Sequence, residues 1–326
     1  MSVIRQRPTP GLTCPTGNNV AVNTAAARPR PIGFVAVALA VLSFSISSAA
    51  IKWSASTGSV VAFWRMVGAV VGWWVVVALI RQRTGRPWPS RQTWKLVLPA
   101  GLFFGANIAV FFTAITRTSI AHAEFITTLT PLILLPAGAV FFGERPNWSA
   151  LKFGLISVFG IILVLAFGPD GGEATLGGDL LMVMVIGTWT GYMLTSKRAR
   201  SHGVDVLDFM ACMMPLGLIT AGPIAVSIAG GGLFSLSPRG WFVVALLTFV
   251  TGMLAHGLII FAQRHLPVAT ISIMQSGQPA LSVFWGFLIL GESVRAPQIA
   301  GMAFVVLGLS LFSWSSQRPD QINPAA

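Results

Sequence analysis

Polar side chains able to do chemistry are scarce in this sequence and sit inside long apolar runs. Glu124 and His122 interrupt one run, His256 another, and the amides Asn107, Gln275 and Gln278 occupy two more. An ionisable side chain within a bilayer costs about 3 kcal/mol or more and normally faces a cavity or a partner. A carboxylate at Glu124 could bind a substrate ammonium or a proton, unless it and His122 simply lie solvated at headgroup level. His256, about two-thirds of the way through its run, could hydrogen-bond a substrate or titrate near neutral pH, or it could be a packed histidine bonded to a neighbouring helix. Asn107 could hold a ligand, or pin two helices together for about 0.6 kcal/mol.

Two prolines add backbone chemistry. Pro131 and Pro279 each lack an N–H and clash with the carbonyl four residues back, so the carbonyls of Thr127 and Gln275 lose their helical partners. In lipid those oxygens need another donor: a substrate amine or hydroxyl, water, or a nearby Ser or Thr side chain. Ser272, Gln275, Ser276 and Gln278 make the segment before and around Pro279 unusually polar. A helix weakened at Pro131 or Pro279 is also a place to bend during gating. Among the many aromatic residues, Trp189 and Tyr192 are the candidates to close around an apolar or aromatic group. Most of the others suit lipid-facing or interfacial positions.

These residues are carried by a duplicated frame. A shift of 148 positions superposes Ala114 on Ala262, Pro131 on Pro279, Gly143-Glu144 on Gly291-Glu292, and Gly160 on Gly308. Hydrophobic residues make up 54% of the 326-residue chain and charged residues 9%, which excludes an ordinary soluble domain and points to a lipid bilayer. Ten segments approach the ~20 apolar residues that cross a hydrocarbon core, roughly 32–52, 59–80, 95–115, 119–142, 149–167, 178–197, 206–229, 240–262, 268–290 and 298–315. Five fall in each copy. Because five is odd, the copies run in opposite senses through the membrane, the arrangement of alternating-access transporters. The fold expected is therefore all-α and integral to the membrane, two inverted five-helix repeats (32–167 and 178–315) around a central cavity. Residues 1–31 read as a disordered cytoplasmic tail and 316–326 as a second one, with no cleavable signal before the first span.

Charge sets the orientation. With the N-terminus inside, sixteen of the twenty-one Lys and Arg residues fall on the cytoplasmic side, which the positive-inside rule requires. The remaining five include Lys52 and Arg65, expected near the outer ends of their spans and snorkelling toward headgroups. The net charge of +12 does not indicate nucleic acid, since the basic residues lie between apolar runs and not on one exposed face. Asp205 and Asp208 suit the start of span seven as helix caps. Gly101 with Gly105 is a small-xxx-small spacing that lets helices approach closely.

Ten spans in two copies, the stretches Pro131–Glu144 and Pro279–Glu292, Lys52 closing span one and Phe63-Trp64-Arg65 in span two together resemble the EamA family of the drug/metabolite transporter superfamily. The resemblance covers roughly residues 32–315. It implies an inverted-repeat fold, a cavity lined by spans one, three, four, six, eight and nine, and export of small metabolites. Within the family, the branch that exports aromatic and other neutral amino acids (YddG-type) is the suggested relative.

The expected function is secondary transport of small metabolites across the inner membrane, most simply amino acid export, with protons as a candidate co-substrate and no cofactor. No HExxH, GxSxG, phosphate-binding glycine loop or metal-spaced Cys/His cluster occurs, so an enzyme has little support. The alternatives are an exchanger of phosphorylated sugars or nucleotide sugars, which would want Lys or Arg deep in the cavity, and a channel or non-transporting subunit.

Overall fold

The computed structural model describes residues 31–142, 151–167, 175–266, 268–275, 277–292 and 294–317, and among these every regular element is helical. The first copy contains α1 (Pro31–Ser45) and α2 (Ser47–Trp53), α3 (Gly58–Thr84), α4 (Arg91–Ile115), α5 (Ile120–Thr127) and α6 (Thr130–Phe142), and α7 (Leu151–Ala166). The second contains α8 (Leu176–Ser201), α9 (Val206–Ala229), α10 (Pro238–Leu247) running through a π-helical stretch (Thr248–Ala255) into α11 (His256–Ala262), α12 (Val268–Gln275) and α13 (Gln278–Leu290), and α14 (Ala296–Gln317). Among the described residues, six passes are long and apolar enough to cross a membrane by length and composition; α13 and the first part of α14 are shorter apolar helices. Several helices outrun the apolar segments that define them, with α3 ending at Thr84 and α8 reaching from Leu176 to Ser201.

The duplication is visible in helix boundaries. α5 and α12, and likewise α6 and α13, begin and end at positions separated by the same 148 residues as the sequence motifs. Both passes are broken at matching places: α5 ends before Thr128-Leu129, just ahead of Pro131, and α12 ends at Gln275, just ahead of Gln278-Pro279. A proline cannot supply the N–H that would join the two half-helices, so the ladder is interrupted where the sequence repeats its proline.

Packing is reciprocal between copies. α4 lies against α8 and α9, and its counterpart in the second copy, the α10–π–α11 pass, lies against α1 and α3. α13 packs on α2, as α6 packs on α8, and α7 pairs with α14. Each copy therefore completes its burial on the other, as a pseudo-two-fold arrangement demands. The α4–α9 contact is the tightest that the sequence anticipates: a Cβ at Gly105 would stand 2.0 Å from the Gly217 carbonyl oxygen. Only a residue without a side chain permits that approach.

Polar termini close the helices. Ser90, Ser119, Thr175, Asp205 and Ser237 each accept a backbone N–H at the start of α4, α5, α8, α9 and α10, satisfying donors that a helix leaves orphaned. Asp205 caps α9 as its position suggests; Asp208 instead pairs with Arg81, and Arg86 reaches Asp205 at 3.3 Å. At the opposite end of the bundle Lys52 pairs with Glu292 at 2.9 Å. Lys52 is thus only partly exposed and engaged with the second copy, which corrects the expectation that it snorkels to headgroups.

Candidate functional site

Between the copies lies a cavity of about 130 Å³. One buried water needs roughly 10–15 Å³ by the same kind of measure, so the space exceeds what an isolated structural water requires. Its walls come from both repeats: Phe44 and Ser47 on the first pass, Asn107 on α4, Glu124 within α5, Trp189 on α8, His256 at the head of α11, and Gln275, Gln278 and Pro279 around the α12–α13 break. Six of the seven substrate-binding candidates read from the sequence therefore border one cavity. The seventh, Tyr192, does not. It is fully buried behind the wall, its ring 5.2 Å from that of Trp189 and 5.3 Å from that of Phe104, and its hydroxyl has no hydrogen-bond partner among the described residues. Tyr192 lies one helical turn from Trp189 on the same helix, and it faces Phe104 of α4 while Trp189 reaches the cavity.

Glu124 is buried and held from two sides. Ser48 of α2 donates to Oε1 at 2.5 Å, and the Gln278 amide of α13 lies 3.4 Å from Oε2. Headgroup-level solvation does not describe it. His122, two residues earlier and turned to another face, leaves the cavity altogether: its Nδ1 meets Asp179 of α8 at 3.1 Å, and Thr118 donates to the same carboxylate at 2.5 Å. Three serines of the first pass take part in or beside the cavity. Ser45 accepts from the Trp285 indole at 3.1 Å, Ser48 holds Glu124, and Ser47 borders the cavity.

His256 follows directly on the π-helical stretch, a register change that recurs at functional sites. Its ring is boxed by aromatic edges, with centroids 4.8 Å from Phe44 and 4.7 Å from Phe104, and its Nδ1 has no hydrogen-bond partner among the described residues. Asn107 spends both amide donors on α8, to the Val185 carbonyl and the Thr188 hydroxyl at 3.0 Å each. Its clearest role is the helix pin, at the cavity wall. The carbonyl of Thr127, freed by Pro131, accepts the Thr130 hydroxyl at 2.6 Å. Of the donors open to that carbonyl, a substrate, water or a nearby hydroxyl, it is a local threonine that supplies the bond.

Arg65 is the residue that sequence reasoning misplaced. It is 2% exposed, lies on the cavity wall, and sits over the Phe112 ring at 5.3 Å. Its Nε donates to the Leu247 carbonyl at 3.4 Å, at the start of the π-helical stretch, while Nη1 has no partner among the described residues. Span two thus joins the expected lining. The signal was available: seven residues past the start of α3 at Gly58, a rise of 1.5 Å per residue puts Arg65 about 10 Å down the helix. Among the described residues no group of three or more His, Cys, Asp or Glu could hold a metal ion.

Comparison with known proteins agrees with this architecture. A family model described as the EamA-like transporter family matches twice, over residues 31–166 and 176–314. The chain is 27% identical over 251 residues to a threonine/homoserine exporter RhtA of Salmonella typhimurium, covering 73% of this chain and 78% of the relative. It is 26% identical over 228 residues to the Escherichia coli K12 exporter of the same name, covering 68% and 72%, and 24% identical to an uncharacterized transporter of Pseudomonas aeruginosa, with 82% of each covered. A crystal structure of 21% identity aligns with a TM-score of 0.59 over 88% of this chain and 98% of its own, a likeness of fold. With both copies matched and the cavity between them, the chain belongs to the EamA-like transporter family.

Proposed function

We propose that this protein exports neutral amino acids across the inner membrane by alternating access, the two repeats rocking about the central cavity. The observation that carries the reading is Glu124: a buried carboxylate at the cavity wall, held by Ser48 and Gln278 from opposite repeats, and suited to a substrate ammonium. Asn107, Gln275 and Gln278 supply neutral polar contacts, and Trp189 with Phe44 an apolar wall. The half-helix breaks at Pro131 and Pro279 are the gating joints in this scheme. The names of the relatives favour small hydroxylated amino acids over aromatic ones as the first to test. Both termini lie in the cytoplasm, with 1–31 and 316–326 as tails, on the strength of the Lys and Arg distribution.

Purified protein in proteoliposomes tests this directly. Labelled threonine, homoserine and phenylalanine are compared for counterflow, and the reading expects saturable, substrate-accelerated exchange of at least one. Flux that grows linearly with concentration fits a channel, and no flux with any amino acid removes the proposal. Arg65 at the cavity wall favours a second reading, exchange of phosphorylated small molecules; the carboxylate of Glu124 in the same cavity opposes a doubly charged anion. Counterflow of a sugar phosphate in the same vesicles decides between the two.

A further inference from the structure

Among the described residues Arg65 has no structural partner that accounts for its charge. Burying a guanidinium is expensive unless it is paired and hydrogen-bonded, yet no carboxylate among the described residues forms an ion pair with it. What it has is a long 3.4 Å contact to one carbonyl, a face-on contact with Phe112, and an Nη1 without a partner. A ring under a guanidinium contributes less than the cost of taking the charge out of water. Phe112 and the Leu247 carbonyl hold the head group in place without neutralising it, and the residue borders the cavity.

We infer that Arg65 is the anion anchor of the cavity and receives the substrate's carboxylate, while Glu124 faces the ammonium. The inference rests on the amino acid reading and deepens it, because it fixes the substrate class as one that carries both charges. A guanidinium offers a planar fork that matches a carboxylate with two parallel N–H···O bonds. A ligand bearing only the amine leaves Arg65 uncompensated, and one bearing only the acid does the same to Glu124. Amino alcohols, amides and simple amines are therefore rejected although they fit the same volume. The side chain then falls toward Trp189, Phe44 and His256, whose rings bound the remaining wall.

The test starts from the wild-type chain in detergent, whose own discrimination between ligands needs no variant to fold, and then asks whether Arg65 variants change it. Ligand-induced change in melting temperature is measured with L-threonine, its alcohol threoninol, and propionate. Wild type is expected to bind threonine on the order of 10- to 100-fold more tightly than threoninol, as hydrogen bonds to a charged group warrant. Arg65→Gln should shrink that ratio to near one, and Arg65→Lys should leave it intermediate. Equal binding of threonine and threoninol by wild type overturns the inference while leaving amino acid export standing, as does a ratio that survives in Arg65→Gln. Propionate binding that is lost in Arg65→Gln, with no response to any amino acid, supports the anchor and removes the export reading. No response to any carboxylate, amino acids included, overturns the anchor.

Discussion

Lys52 Nζ and Glu292 Oε1 meet at 2.9 Å although 240 residues separate them in sequence. The pair joins the end of the first pass of one repeat to the Gly-Glu that closes α13 in the other, so it spans the boundary across which the proposed rocking would act. An ion pair with side chains 15% and 19% exposed is less screened than a surface pair, and it favours the arrangement in which it forms. Lys52→Glu should lower exchange flux in proteoliposomes by about tenfold, and adding Glu292→Lys should recover most of it, a coupling that a double-mutant cycle isolates. No recovery in the double variant means the contact does not couple the repeats.

Glu124 is predicted to act through its charge. Glu124→Gln keeps a similar shape and can still hydrogen-bond Ser48 and Gln278, so melting temperature should change little. Amino acid affinity should fall on the order of 10- to 100-fold, the worth of a hydrogen bond to a charged group. A loss of stability with unchanged affinity would make Glu124 a structural residue.

Trp189 and Tyr192 separate the cavity wall from its support. Trp189→Ala removes wall surface and is expected to weaken transport severalfold in protein that still folds. Tyr192→Phe removes a buried hydroxyl that has no partner among the described residues, a group costly to bury unsatisfied. Its melting temperature should hold or rise, and its flux should match wild type. A large flux defect in Tyr192→Phe would place that hydroxyl in the transport path.

The α4–α9 contact gives a stability prediction. Gly105→Ala would drive a Cβ to 2.0 Å from the Gly217 carbonyl oxygen, and backbone cannot give way as a flexible side chain can. Overpacking of this kind costs about 1–3 kcal/mol, read as a lower melting temperature in detergent. Gly187→Ala, where an added Cβ meets nothing within 4 Å, should be neutral in the same assay.

Much of this frame is legible in the sequence because membranes make local signals decisive. Apolar run length gives the passes, and a repeated proline gives matching helix breaks ahead of Pro131 and Pro279. Which residues share a cavity was partly legible, since polar side chains in apolar runs have few other places to go. Facing was not. The position of Arg65 two turns into its helix gives its depth but not that it turns toward α10 and the π-helical stretch of the other repeat, and nothing in the apolar segment Thr248–Ala255 announces a π-helical register. Tyr192 and Trp189 are equally aromatic and one turn apart, and only the placement of Phe104 sends one behind the wall. The Thr130 hydroxyl that satisfies Thr127 is a local contact that the sequence permits without selecting.

Access to the cavity from each side of the membrane in turn is the most direct test. With the native cysteines replaced by serine, Gln278→Cys at the cavity wall is labelled in oriented vesicles by a membrane-impermeant thiol reagent applied from one side or the other. Labelling from both sides, slowed from both by the transported substrate, is the predicted result. Labelling confined to one side whatever the substrate, or none from either, contradicts a central site that the two repeats open alternately.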